Sequence, residues 1–359
     1  MNKGISIVGF CVATLLLLGC QKKGSTPVTV TTTAAGTVLS SEASVVIAPT
    51  YVTLANDASL LYSGAVLFQS TPTQANLVNC RQLWLNATAD YEQSSATLFG
   101  PNGAIGADPA SLINTYPIDT VGINKLINSS AVFTLAYIDS LPSYFTGFHG
   151  MEFELYGING NKLASQFTSQ QLSYITAVAL NIKTLTWQID SEWNSAYPGS
   201  YYYQFVNAGN GSTIYPDQRA AFSDLTMAIA NICETDAIYK LNGILSNKST
   251  ILQESPFASN SVLDIQNNLI GVRNIYCGQY GNNTGTGLTA FVSQNNQNLD
   301  AKIKNDISSA IKAVGLITSP LNQAIYTQTS QMHVAINACD SLDDALKVDL
   351  LTYLNTNTN

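Results

Sequence analysis

The sequence predicts an all-α protein built from two antiparallel helical bundles. Three observations carry that expectation. Apolar residues recur at three- and four-residue steps over long stretches, the period of one helix face. Those stretches are nearly free of Gly and Pro, and a Gly-, Pro- and Tyr-rich segment at 194–216 divides them into two sets. No region shows sustained alternation bounded by hairpin turns, the pattern of a half-buried strand.

Residues 1–19 read as a removable signal. Lys3 supplies a positive charge, and Ile5 to Leu18 is an apolar run shorter than the roughly 20 residues of a comfortable span. Leu17-Leu18-Gly19-Cys20 then matches a bacterial lipobox, in which the Cys20 thiol receives a diacylglycerol and becomes the first residue. More than one acyl chain makes such an anchor stable. Gln21 stands where an Asp would mark inner-membrane retention. The expected place is the outer membrane, with the body facing the periplasm and the cell surface left open. Residues 20–40, rich in Thr and Ala after Lys22-Lys23, read as a flexible tether.

Residues 41–195 are expected to form the N-terminal bundle. The segments 41–70 and 73–98 are long and apolar-rich, and Leu172, Ile175, Val178, Ile182, Ile189 and Trp193 mark a third helix face. Residues 196–216 are read as the connection. The C-terminal bundle is expected over 217–357. Asp217, after Pro216, caps a helix whose inner face is Phe222, Leu225, Ile229, Ile232 and Tyr239. Leu299, Ile303, Ile307, Ile311 and Val314 form the clearest stripe, and 246–260 and 278–287 read as loops. Beyond the signal, no stretch reads as apolar and long enough to cross a membrane.

Only 11% of the residues are charged and 46% are hydrophobic, so the surface must rely on neutral polar side chains. A formal charge of −8, with no basic block beyond Lys22-Lys23, argues against a nucleic-acid partner. Of six cysteines, Cys11 leaves with the signal and Cys20 is acylated. Cys80, Cys233, Cys277 and Cys339 remain, and an oxidising compartment favours at least one disulfide among them. Buried free thiols are the alternative, and sequence does not choose the pairing.

Chemistry concentrates at one of the two histidines. In Gly147-Phe148-His149-Gly150-Met151-Glu152, His149 and Glu152 lie three apart and share a helix face. Imidazole and carboxylate together suit a divalent transition metal, iron or zinc, or an acid–base pair. The plain alternative is a hydrogen bond that steadies the helix. Two ligands also fall short of the three protein ligands usual for catalytic zinc. His333 has no acidic residue within four positions and reads as a core or surface histidine.

Gly147-x-His149-x-x-Glu152, with Ser140-Leu141-Pro142 before it and Leu155-Tyr156-Gly157 after, resembles the signature of the imelysins. So do Trp84, Tyr91-Glu92-Gln93-Ser94, Phe99-Gly100-Pro101 and Tyr116-Pro117-Ile118-Asp119. The second half adds Glu254-Ser255-Pro256, Asn260-Ser261, Asp264, Asn267-Asn268 and Tyr276-x-Gly278, in order over about residues 45–350. The resemblance implies two helical bundles with a site between them, and His149 and Glu152 as its metal-binding residues. Asp119 and Asp264 enter with the motif blocks, or serve as caps and inter-bundle hydrogen bonds. The chain departs from the family where an Arg is usual near Thr88 and a Glu near Ser95. Glu92, one turn before Ser95, is the carboxylate available to stand in.

Three readings follow. The first is a lipoprotein that binds iron or another divalent metal, alongside iron-uptake components. The second is a metallopeptidase of the insulin-cleaving type, with Glu152 catalytic. It lacks the second histidine of His-Glu-x-x-His. The third is an interaction module without a site.

Overall fold

The long helices arise where the sequence carries the 3.6-residue stripe. In the computed structural model, which describes residues 34–97 and 112–358, they are all-α as expected. The first is α1, Ala34–Ser70, which contains a π-helical turn at Glu42–Ile47. It is followed by α2 (Gln74–Ser94), α3 (Thr120–Ile127), α4 (Leu135–Asp139), α5 (Gly147–Tyr156) and α6 (Ser169–Trp193). After α7 (Tyr201–Val206) come α8 (218–247), α9 (Ser261–Cys277), α10 (Leu288–Ser293), α11 (Gln297–Gly315), α12 (Leu321–Thr327) and α13 (329–357). Strand structure among the described residues is one hairpin of two-residue strands, inside the expected loop 278–287.

Helix α1 packs along α2 and α6, and α5 closes that group. In the second half α11 packs on α13 and α9, and α8 on α13. Helix α2 also packs against α9, so the two groups meet face to face. One apolar core runs through both, and the described residues belong to one compact unit.

Several expectations need correction. The tether was expected to reach residue 40, yet α1 starts at Ala34, because Val38 and Leu39 are buried in the body. Cys20 and the signal 1–19 lie outside the described residues, as does the Phe99-Gly100-Pro101 block. Helix α1 is in fact long and apolar enough to span a bilayer, although most of its apolar window is buried inside the protein. The segment 196–216 carries α7, whose Tyr201 and Phe205 pack their rings on Trp193. No disulfide joins the four expected cysteines. They lie on four different helices, and Cys80, Cys233 and Cys339 are buried as small apolar residues. Burial pushes the Cys80 thiol up to about 12, so it is inert at neutral pH.

The stripe of α8 also slips. Tyr239, expected inside, is 60% exposed. The buried face runs instead through Cys233, and the helix widens to a π-helix over Thr235–Gly243. Asp236 and Lys240 take the inward positions instead.

Candidate functional site

The site starts at the first residue of α5. Gly147 has φ +68°, and a Cβ there would lie 2.2 Å from the Ile113 carbonyl oxygen. Only glycine permits both the left-handed backbone and that approach. Gly147→Ala is therefore expected to cost about 2–4 kcal/mol, strain and overpacking together. A urea midpoint equal to that of the parent would refute this. The next carbonyl, that of Phe148, accepts a 3.0 Å hydrogen bond from Trp84 Nε1 and ties α5 to α2.

One turn of helix then brings His149 and Glu152 together as the spacing predicts. His149 Nδ1 lies 3.1 Å from Glu152 Oε2, and the residues are 1% and 0% exposed. Glu152 Oε1 accepts two further hydrogen bonds, from the backbone N–H groups of Phe257 and Ala258, both at 2.8 Å. Burial raises the Glu152 carboxyl above its usual range, against the opposing pull of His149 and these N–H groups. A carboxylate that accepts on both oxygens selects the imidazole tautomer with its proton on Nδ1. The Nε2 lone pair is then left over, and that atom is buried without a hydrogen-bond partner.

His149 lines a cavity of about 160 Å³ together with Tyr116, Ile118, Ile251, Glu254 and Phe257. The Tyr116 ring stands edge-on to the imidazole, 5.5 Å between centroids. Tyr116 and Glu254 also line a second cavity of about 420 Å³, with Glu92, Asn114, Lys240 and Asn268. Tyr116 and Glu254 thus stand between the histidine and the lysine.

Glu92 does not join the His149–Glu152 pair. Its Oε1 accepts from Asn114 at 3.1 Å and its Oε2 from Asn268 at 2.6 Å. Asn114 also donates to Glu254 Oε1 at 2.8 Å. Lys240 Nζ lies 2.7 Å from Glu254, 3.4 Å from Asp236 and 3.7 Å from Glu92. It donates to Asn268 Oδ1 at 2.6 Å. Burial raises the Glu92 carboxyl, helped by Glu254, and lifts Asp236 to about 7 against the pull of Lys240. Burial alone would depress Lys240, but Glu254, Asp236 and Glu92 outweigh it and hold the ammonium charged.

The other expected residues have structural places. Asp119 caps α3 by accepting from Gly122 N at 2.8 Å. Asp264, fully buried in the first turn of α9, accepts from Asn260 Nδ2 at 2.7 Å. Thr88 is buried, Ser95 lines the larger cavity, and His333 is exposed. Among the described residues no group of three or more His, Cys, Asp and Glu is placed to hold a metal ion. The set His149, Glu152 and Glu92 is therefore not assembled: Glu152 turns its oxygens to His149 and two N–H groups, and Glu92 faces Lys240. The sequence reading missed Lys240, Asp236 and Asn114, and took Glu254 and Asn268 only as motif text. The available signal was a charged i, i+4 pair on a helix face with Ala237 and Leu241, in a chain poor in charge.

A family model for imelysin, peptidase M75, matches residues 47–348, a span that includes both clusters. The chain belongs to the imelysin family. Iron-regulated protein A of Synechococcus elongatus is 24% identical over 310 residues, 85% of this chain and 83% of that protein. The solved structure of a putative iron-regulated protein A precursor from Parabacteroides distasonis superposes with a TM-score of 0.80 at 19% identity. That match covers 92% of this imelysin and 97% of the other chain. An imelysin-like protein from Psychrobacter arcticum gives a TM-score of 0.72 at 17% identity, over 90% and 96% of the two chains. These two likenesses concern the fold.

Proposed function

We propose that this imelysin works in iron uptake or homeostasis, as a lipoprotein anchored at the outer membrane through Cys20 and facing the periplasm. In this reading it holds a divalent metal as passing cargo. The names of its relatives support the iron link. The observation that carries the site is the His149 Nε2 atom, buried on a cavity wall and without a hydrogen-bond partner. A ring whose other nitrogen donates to a carboxylate is the usual arrangement of a metal-binding histidine. Glu152 thus positions His149 and is not itself a ligand. Glu254, on the wall of the same cavity, would supply the second protein ligand by turning an oxygen away from Asn114 or Lys240. Two protein ligands suit an exchangeable cargo better than a resident catalytic ion, which usually has three.

A peptidase mechanism is less well supported. It would need Glu152 as the base, and both Glu152 oxygens already accept hydrogen bonds. Calorimetry with Fe²⁺ under anaerobic conditions, and with Zn²⁺, tests the proposal. Binding is expected in the parent, is lost in His149→Ala and falls at least tenfold in Glu254→Gln. No heat in the parent, or equal affinity in His149→Ala, would overturn it.

A further inference from the structure

We propose that the Lys240 ammonium occupies an oxygen cage suited to a hard divalent cation of the Ca²⁺ or Mn²⁺ class, and that its role is to shut such ions out. Four side-chain oxygens converge on Nζ, from Asn268 at 2.6 Å, Glu254 at 2.7 Å, Asp236 at 3.4 Å and Glu92 at 3.7 Å. They come from three helices and one loop and include neither nitrogen nor sulfur, which is the donor set of a hard cation. With the lysine in place the oxygens stand at ammonium distances. The two outer ones need to close in by roughly 1 Å to reach Ca²⁺–O lengths of about 2.3–2.6 Å.

A second observation separates this cage from an ordinary buried ion pair. Buried pairs persist when their remaining lone pairs are satisfied. Here three carboxylates surround one ammonium. Asp236 is 0% exposed, touches Nζ only at 3.4 Å through Oδ1, and its Oδ2 accepts no hydrogen bond. The cage therefore offers more oxygen lone pairs than a lysine uses. The cavity of about 420 Å³ lined by Glu92, Lys240 and Glu254 gives ions a way in. Lys240 follows Phe222, Leu225, Ile229, Cys233 and Asp236 at three- and four-residue steps, so the buried face of α8 itself carries the blocking cation inward. One consequence rests on the metal-cargo reading above: with the oxygen cage filled, the nitrogen-bearing side at His149 is the place left for a metal.

The test compares the full chain with Lys240→Met and with the triple variant Lys240→Met, Glu92→Gln, Asp236→Asn. Each is melted in chelator and in millimolar Ca²⁺ or Mn²⁺, and Mn²⁺ binding is followed by electron paramagnetic resonance. Lys240→Met is expected to melt low in chelator and to rise by at least about 5 °C with either ion. The parent and the triple variant are expected not to respond. An equal response in the parent would overturn the proposal, as would a response in the triple variant. So would a Lys240→Met protein that stays unresponsive or unfolded in both ions. Adding His149→Ala to Lys240→Met is expected to leave the Ca²⁺ response intact, so failure of the cargo site and failure of the cage read out separately.

Discussion

Glu152→Ala is expected to lower the unfolding free energy by about 3–5 kcal/mol, the scale for removing one partner from a buried charged network. Three donors lose their acceptor at once: His149 Nδ1–H and the N–H groups of Phe257 and Ala258. Glu152 and His149 are buried, while Phe257 and Ala258 are half-buried. These bonds also hold the 248–260 loop onto α5, beside the Phe153–Phe257 ring contact at 5.1 Å. Glu152→Gln separates folding from function. Its carboxamide oxygen still accepts from Phe257 and Ala258, so the loss of stability is expected to stay within about 1–2 kcal/mol. Its NH₂ group, however, faces Nδ1 and favours the other tautomer, which places a proton on Nε2. Metal binding is then expected to disappear from a folded protein. Urea unfolding followed by circular dichroism, with calorimetry on the same samples, checks both halves. A Glu152→Ala protein within 1 kcal/mol of the parent would show that the network does not hold the loop.

Stability is expected to be greater at pH 5 than at pH 8, by about 3–5 kcal/mol. The carboxyls of Asp236 and Asp90 are both raised from 3.8 to about 7, first by burial. For Asp90 the neighbouring Asp57 adds to the effect, whereas for Asp236 Lys240 opposes it. Glu42, Glu92 and Asp264 are raised in the same direction, again mainly by burial. A carboxyl raised in the folded state holds its proton where the unfolded chain has lost it. The folded protein therefore binds more protons between about pH 4 and 7. The resulting stabilisation is complete below about pH 4 and is lost as the pH rises through about 7. Urea midpoints at pH 5 and pH 8 decide the matter, and an equal or higher midpoint at pH 8 would contradict it. Most proteins lose stability in acid because their carboxylates are held ionised. Among the described residues the buried carboxyls outnumber the one buried lysine, Lys240.

The helices were legible because periodicity is local. Ile303, Ile307 and Val314 repeat the helix period and are buried together. The Asp217 cap sits next to the helix that it starts. The same reasoning misplaced the start of α1, since Ala-Ala-Gly-Thr has the composition of a linker. Only the burial of Val38 and Leu39 makes it a helix. It also misplaced Tyr239, because following apolar residues alone led off the buried face, which continues through the charged Asp236 and Lys240.

The His149–Glu152 pair was determined by the sequence itself, since residues three apart on a helix meet whatever surrounds them. The requirement for glycine at 147 and the family were legible too, the first through the motif and the second through blocks in order. The tertiary structure alone decided what the pair does. Glu152 meets Phe257 and Ala258 more than a hundred residues away, and Glu92 meets Lys240, Glu254 and Asn268 across the packing of α2 on α9. Such contacts depend on which helices lie side by side and on their rotation. The pattern along any one helix says which face is buried, but not what that face will touch.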